Sequence, residues 1–149
     1  MSQLNVEMKL IDMLYDKDTS QAFENLKKLE LISDKSDVLY PYMDRFIEMA
    51  KSEKYVIRVR GFRLFCKQAK WDTDNIINKY FDEVLAILND DRPTAVRQAL
   101  AALKDVVLNK KELQDLITEK ILAIDYQRYK DTMHRLISKD IQNLLEVMK

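Results

Sequence analysis

Apolar residues recur at spacings of three and four along almost the whole chain, as they do in helices that bury one face. That pattern predicts eight helices. The first, about 3–15, carries Leu4, Met8, Ile11 and Tyr15 on one side. Asp18-Thr19-Ser20-Gln21, rich in side chains that cap helix N-termini, opens a second with Ala22, Phe23, Leu26 and Leu29 inward. Ser33-Asp34-Lys35-Ser36-Asp37 breaks the chain after it. The third, about 38–52, starts at Pro41, tolerated in a first turn whose N–H groups lack an intrahelical acceptor, and points Met43, Phe46, Ile47 and Ala50 to the core. A fourth covers about 55–70, and Asp72-Thr73-Asp74 caps a fifth at about 74–88 with Tyr80, Val84 and Ile87. Asn89-Asp90-Asp91-Arg92-Pro93 leads to the sixth, about 93–108, which buries Val96, Ala99, Leu103 and Val106. After Asn109 the seventh, about 111–124, presents Leu113, Ile117, Ile121 and Ile124, and the eighth fills about 129–148. No connection exceeds a few residues, so residues 1–149 are expected to form a single domain.

A longer period lies over the helical one. Val59-Arg60, Val96-Arg97 and Met133-His134 follow each other at intervals of 37 residues. The preceding helices keep the same register: Met43, Tyr80 and Ile117 are 37 apart, as are Ile47, Val84 and Ile121, and Ala50, Ile87 and Ile124. A fixed period made of two helices is the sequence signature of an α-solenoid, in which each pair buries its apolar face only by stacking on its neighbours. The expected units are an N-terminal capping pair at 1–32 and repeats at 38–70, 74–108 and 111–148.

The stretch from Asn89 to Leu103, with Asp90-Asp91-Arg92-Pro93 followed by Val96-Arg97 and small apolar residues, resembles a HEAT repeat. In that family the turn between paired helices carries Asp, then Pro, then Val-Arg. The stretch Ser52 to Phe62 keeps Val59-Arg60 without the Pro, and Met133-His134 shares the register only. The period exceeds the roughly 34 residues of tetratricopeptide repeats, whose Trp-Leu-Gly-Tyr pattern is absent. The resemblance covers about residues 38–148. It implies an all-α, right-handed solenoid of HEAT-like (armadillo-type) repeats, about four antiparallel helix pairs, and a protein that binds other macromolecules along a concave face lined by the second helices.

Composition agrees with a helical scaffold and narrows the chemistry. The 149 residues are 47% apolar and 34% charged, and contain one Gly and two Pro, too few for hairpins or phosphate-cradling loops. One Cys excludes a disulfide framework or a thiolate-held metal cluster and points to a reducing, cytoplasmic setting. The N-terminal residues show no basic and apolar signal pattern, and the longest apolar runs, Val84–Leu88 and Ala99–Leu103, are five residues each, far short of a membrane span. Lys and Arg total 25 against 25 Asp and Glu, a balance unlike that of a chain that coats nucleic acid.

Nothing in the sequence carries an enzyme signature, and no catalytic, cofactor or metal site is expected. His134, the only His, takes the place of Arg60 and Arg97 in the register, and Cys66 takes that of Leu103 on an apolar face. The notable feature is an uneven distribution of charge. Residues 51–70 hold seven basic residues against Glu53, a local charge of +6. Arg60, Arg63, Lys67 and Lys70 share one helix face, Arg97 and Lys104 repeat Arg60 and Lys67 one period later, and Trp71 follows Lys70. These seven residues form the candidate partner-binding surface. Two readings follow: a non-enzymatic scaffold that takes a protein or acidic peptide on its second helices, or a nucleic-acid-binding protein resembling the HEAT-like alkylation-repair glycosylases, whose basic concavity and aromatic residues embrace DNA. Gly61 sits mid-helix beside Arg60, where it either admits a ligand or admits the next helix.

Overall fold

A computed structural model describes residues 3–149, with side chains from Glu7 onward, so that Leu4 lies outside the described side chains. Among these residues eight α-helices run in order: α1 (Gln3–Asp12), α2 (Thr19–Lys35), α3 (Met43–Ala50), α4 (Tyr55–Lys67), α5 (Ile76–Val84), α6 (Pro93–Asn109), α7 (Gln114–Leu122) and α8 (Asp131–Val147). Among the described residues there is no strand. The chain is all-α, as its apolar period and its scarcity of Gly require.

The helix ends differ from the sequence pattern in instructive ways. Pro41 lies in a 3-10 turn, Tyr40–Tyr42, and α3 begins only at Met43. The fifth helix gives way at Leu85 to a 3-10 segment that runs to Asn89, and the seventh is preceded by another at Lys111–Leu113. Ser33-Asp34-Lys35 does not break the chain but continues α2. The Ser33 hydroxyl is buried and accepts from Gln68 Nε2 at 2.9 Å, a tertiary contact that overrides the usual preference of Ser and Asp for helix ends. At the start of α5 the cap is Asp72 rather than its neighbours, and its two oxygens accept from the Ile76 and Ile77 amides at 2.9 Å each. Asn75, with φ of 57°, makes the left-handed step into the helix, a conformation Asn tolerates better than most residues.

One continuous core runs through the molecule, with Phe46, Phe62, Phe65 and Phe81 among its fully buried side chains. α3 packs on α4, and Met43, Ile47 and Ala50 of the first and Val59, Phe62 and Cys66 of the second are all buried. Gly61 is explained by this crossing. A Cβ there would lie 2.5 Å from Met49 Cβ, 2.6 Å from the Ala50 amide nitrogen and 2.8 Å from the Phe46 carbonyl oxygen, so the glycine lets two backbones meet. α6 meets the preceding helix chiefly through the 3-10 segment with Leu85, Ile87 and Leu88, all buried. The even-numbered helices are also neighbours, α2 against α4, α4 against α6 and α6 against α8.

Candidate functional site

The candidate residues come from α4, the 3-10 turn that follows it, and α6, and each meets a different fate. Arg60 is 6% exposed, and its Nη1 donates to the Leu14 carbonyl oxygen at 2.6 Å. Burial lowers its pKa, an effect that Asp16 opposes. Arg60 therefore ties α4 to the N-terminal helices from inside. Trp71 is half-buried and donates from Nε1 to the Ser33 carbonyl oxygen at 2.7 Å. Lys70 donates to the Asp34 carbonyl oxygen, with its ammonium 5.3 Å from the centre of the Trp71 ring.

Arg63 and Lys67 face the outer side of α4, but carboxylates of the adjoining helices surround them. Arg63 makes a two-point contact with Glu30 of α2, Nε to Oε2 at 3.0 Å and Nη2 to Oε1 at 2.7 Å, and reaches Gln98 of α6 through Nη1 at 2.9 Å. Its guanidinium also lies 5.9 Å from the centre of the Phe23 ring. Lys67 donates to Asp34 at 2.8 Å and lies 3.7 Å from Asp105 of α6. Burial works against the Lys67 charge, and the hydrogen bond it donates to Asp34, with the charges of Asp105, Asp34 and Glu30, outweighs it and raises the pKa. Burial likewise raises the Asp105 carboxyl, which Lys67 pulls down and Asp34 and Glu30 push up again. Arg97 binds Asp140 of α8, Nε to Oδ2 at 2.7 Å, and that hydrogen bond raises its pKa.

Of the basic residues at 51–70, Lys51, Arg58, Arg63 and Lys67 are thus met by acidic side chains of other parts of the chain, whereas Arg60 and Lys70 bind carbonyl oxygens. The sequence reading did not include Glu30, Asp34, Asp105, Asp140 or Gln98, although a signal was present. Asp12–Arg45, Glu30–Arg63 and Asp34–Lys67 are 33 residues apart, and Lys51–Glu83 and Arg58–Asp90 are 32 apart, about one helical turn short of the 37-residue period.

Lys104 stands apart from the other six. It is exposed, and no hydrogen bond or ion pair among the described residues holds it. It lines a trough of about 240 Å³ between α6 and α8, with Leu100, Ala101, Leu144 and Val147 as apolar wall and Asn143 beside them. The other charge in that trough, Asp140, belongs to Arg97.

No family model, curated protein or solved structure matches the chain. The site is therefore read from its own chemistry. His134 is half-buried, with Nε2 2.8 Å from the Tyr129 carbonyl oxygen, and the Cys66 thiol is wholly buried and raised in pKa by that burial. Among the described residues no group of three or more His, Cys, Asp or Glu is placed to hold a metal ion, and no helix is long and apolar enough to cross a membrane.

Proposed function

We propose that the chain is a non-enzymatic, cytoplasmic interaction module of the HEAT-like α-solenoid kind, about four antiparallel helix pairs, that binds a protein or peptide segment on its second-helix side. The repeat reading is supported by the polar contacts. Beyond the charge pairs already described, Tyr40–Asp72, Asn78–Glu112, Lys110–Asn75, Trp71–Ser33 and Arg128–Asn89 join residues 32 to 39 apart, close to one repeat. Stacked copies of one unit produce such a recurrence.

The observation that carries the functional reading is the contrast between Lys104 and its neighbours. A polyanion needs a run of open cations, whereas Glu30, Asp34, Asp105 and Asp140 already occupy Arg63, Lys67 and Arg97. One open cation in a largely apolar trough suits a peptide that offers a carboxylate next to aliphatic side chains. These closed ion pairs favour the peptide reading over the nucleic-acid one.

The test is fluorescence anisotropy with two labelled probes, a peptide with Leu on one helical face and Glu on the other, and a DNA duplex. Wild type should bind the peptide, and Lys104→Glu should weaken that binding about tenfold. Tight DNA binding that falls steeply with salt would replace this reading with the nucleic-acid one. Binding of neither probe would remove the second-helix side as the site.

A further inference from the structure

A second trough lies on the first-helix side, between α3 and α5, and none of the residues discussed so far as a binding surface belongs to it. Its volume is about 560 Å³, with Met43 and Ile47 from α3 and Ile76 and Tyr80 from α5 as its apolar lining. The charges around it are not equivalent. Asp74 accepts from the Tyr40 hydroxyl at 3.2 Å, Lys79 stands 5.4 Å from the centre of the Tyr80 ring, and Lys51 is bound to Glu83 at 3.2 Å. Asp44 and Glu48, both exposed on α3, have no hydrogen bond or ion pair among the described residues.

Asp44 has a local reason to be acidic. It lies in the first turn of α3, at the positive end of the helix dipole, which favours an anion. Glu48 has none. It lies in the last turn, where the carbonyl end of the helix disfavours a carboxylate, and it follows Asp44 by four residues on the same face, so the two charges repel. The cations three residues to either side of it are engaged elsewhere, Arg45 with Asp12 at 2.7 Å and Lys51 with Glu83. Two uncompensated carboxylates along the edge of an apolar trough make a surface complementary to a cation carried beside apolar side chains.

We propose that the α3–α5 trough docks a basic, amphipathic helical segment of a partner protein, its apolar residues entering between the helices and its Lys or Arg side chains meeting Asp44 and Glu48. An amphipathic helix laid into a groove is a recurring way to satisfy such a surface. The proposal does not depend on the Lys104 trough, which has the opposite charge preference.

The probe is a labelled peptide of roughly eighteen residues with Leu at helical spacing on one face and Lys on the other, compared with a scrambled peptide of the same composition. Wild type should bind the patterned peptide about tenfold more tightly than the scrambled one. Asp44→Lys with Glu48→Lys should abolish that preference, and the gentler Asp44→Asn with Glu48→Gln should weaken binding of the patterned peptide about three- to tenfold. Lys104→Glu should leave it unchanged, which separates this site from the one proposed above. Dichroism spectra that coincide for all variants establish that each has folded. Equal binding of the two peptides, or binding indifferent to both double substitutions, would overturn the proposal. A wild-type mass in sedimentation that grows with concentration, and returns to the monomer in Asp44→Asn with Glu48→Gln, would also overturn it by assigning the trough to a second copy of the chain.

Discussion

Lys110 Nζ lies 3.1 Å from Asp72 Oδ2, and the two side chains are 6% and 0% exposed. The ammonium also donates to the Asp72 carbonyl oxygen at 3.0 Å and to Asn75 Oδ1 at 2.7 Å. Asp72 in turn caps α5 and accepts from the Tyr40 hydroxyl at 2.7 Å. One buried pair thus joins the turn after α6, the start of α5 and the turn before α3. Removing two ions from water costs several kcal/mol each, and the cost is offset only because every one of these polar atoms has a partner.

Lys110→Met is expected to destabilise the protein by about 3 kcal/mol, since it leaves the Asp72 carboxylate buried without its counter-charge. Adding Asp72→Asn to Lys110→Met should recover part of that loss, because the uncompensated charge disappears while the amide still accepts one hydrogen bond. Urea denaturation of the two variants checks both statements. A double variant less stable than the single one by the full cost of losing the cap would mean that the carboxylate acts only as a cap.

Acid should act on the same group. Burial raises the Asp72 pKa, but the Tyr40 hydroxyl, the Ile77 and Ile76 amides and Lys110 outweigh it and hold the pKa below its ordinary 3.8. A carboxyl lowered in the folded state stabilises the fold above its unfolded pKa, and that contribution is lost as pH falls through the folded value. The stability difference between wild type and Asp72→Asn should therefore be constant near neutrality and shrink as pH falls below the ordinary carboxylate range. Denaturant midpoints collected from neutral to acid pH would show the convergence.

Gly61→Ala should be far more damaging than the helix propensity of Ala suggests. In an open helix the change stabilises by about 1 kcal/mol. Here the new methyl group would meet backbone atoms of α3 at 2.6 and 2.8 Å, so the α3–α4 crossing must open. An expected net loss of about 3 kcal/mol, read from the melting temperature, follows from overpacking against backbone that cannot rotate away. An unchanged melting temperature would place α3 farther from α4.

These cases show where the sequence was legible. The number and type of helices followed from apolar spacing, because that spacing is set by which side chains must leave water. The 3-10 ends at Tyr40–Tyr42 and Leu85–Asn89 did not follow, since tertiary contacts decide how the last turn closes. At the candidate site the cations were visible as a run within one helix. Their anions were not, because Glu30 and Asp34 lie two helices before Arg63 and Lys67, and Asp105 and Asp140 lie on later helices. Gly61 was ambiguous until the helix it touches was known. Lys104 entered the stripe as the repeat of Lys67 one period later, and it is the member whose charge remains open.

Asp105 offers a prediction of opposite sign to that of Asp72. Its pKa is raised from the ordinary 3.8 by burial first and then by Asp34 and Glu30, which together exceed the pull of Lys67. A carboxyl raised in the folded state favours folding while it is protonated, and that advantage is lost as pH rises through the folded value. Ionised Asp105 therefore works against the fold at neutral pH. Asp105→Asn should raise the melting temperature at neutral pH, and the gain should vanish in acid, where both side chains are uncharged. A gain independent of pH would point to packing instead.

The Glu30–Arg63 pair decides what the basic stripe is for. If the two-point contact holds α2 to α4, the residues are energetically coupled, and a double-mutant cycle of Glu30→Ala, Arg63→Ala and the combination should give an interaction energy of about 1–2 kcal/mol. Their side chains are only 16% and 21% exposed, so solvent screens the pair less than it screens a surface ion pair. The same cycle built on Lys67 and Asp34 should give less, since the Asp34 side chain is 43% exposed. Coupling near zero for Glu30 and Arg63 would mean that the guanidinium is free to exchange its partner for an incoming anion, and the stripe would return as a binding surface. Coupling of the expected size assigns Arg63 to the architecture, and an acidic peptide then has to find its cation at Lys104.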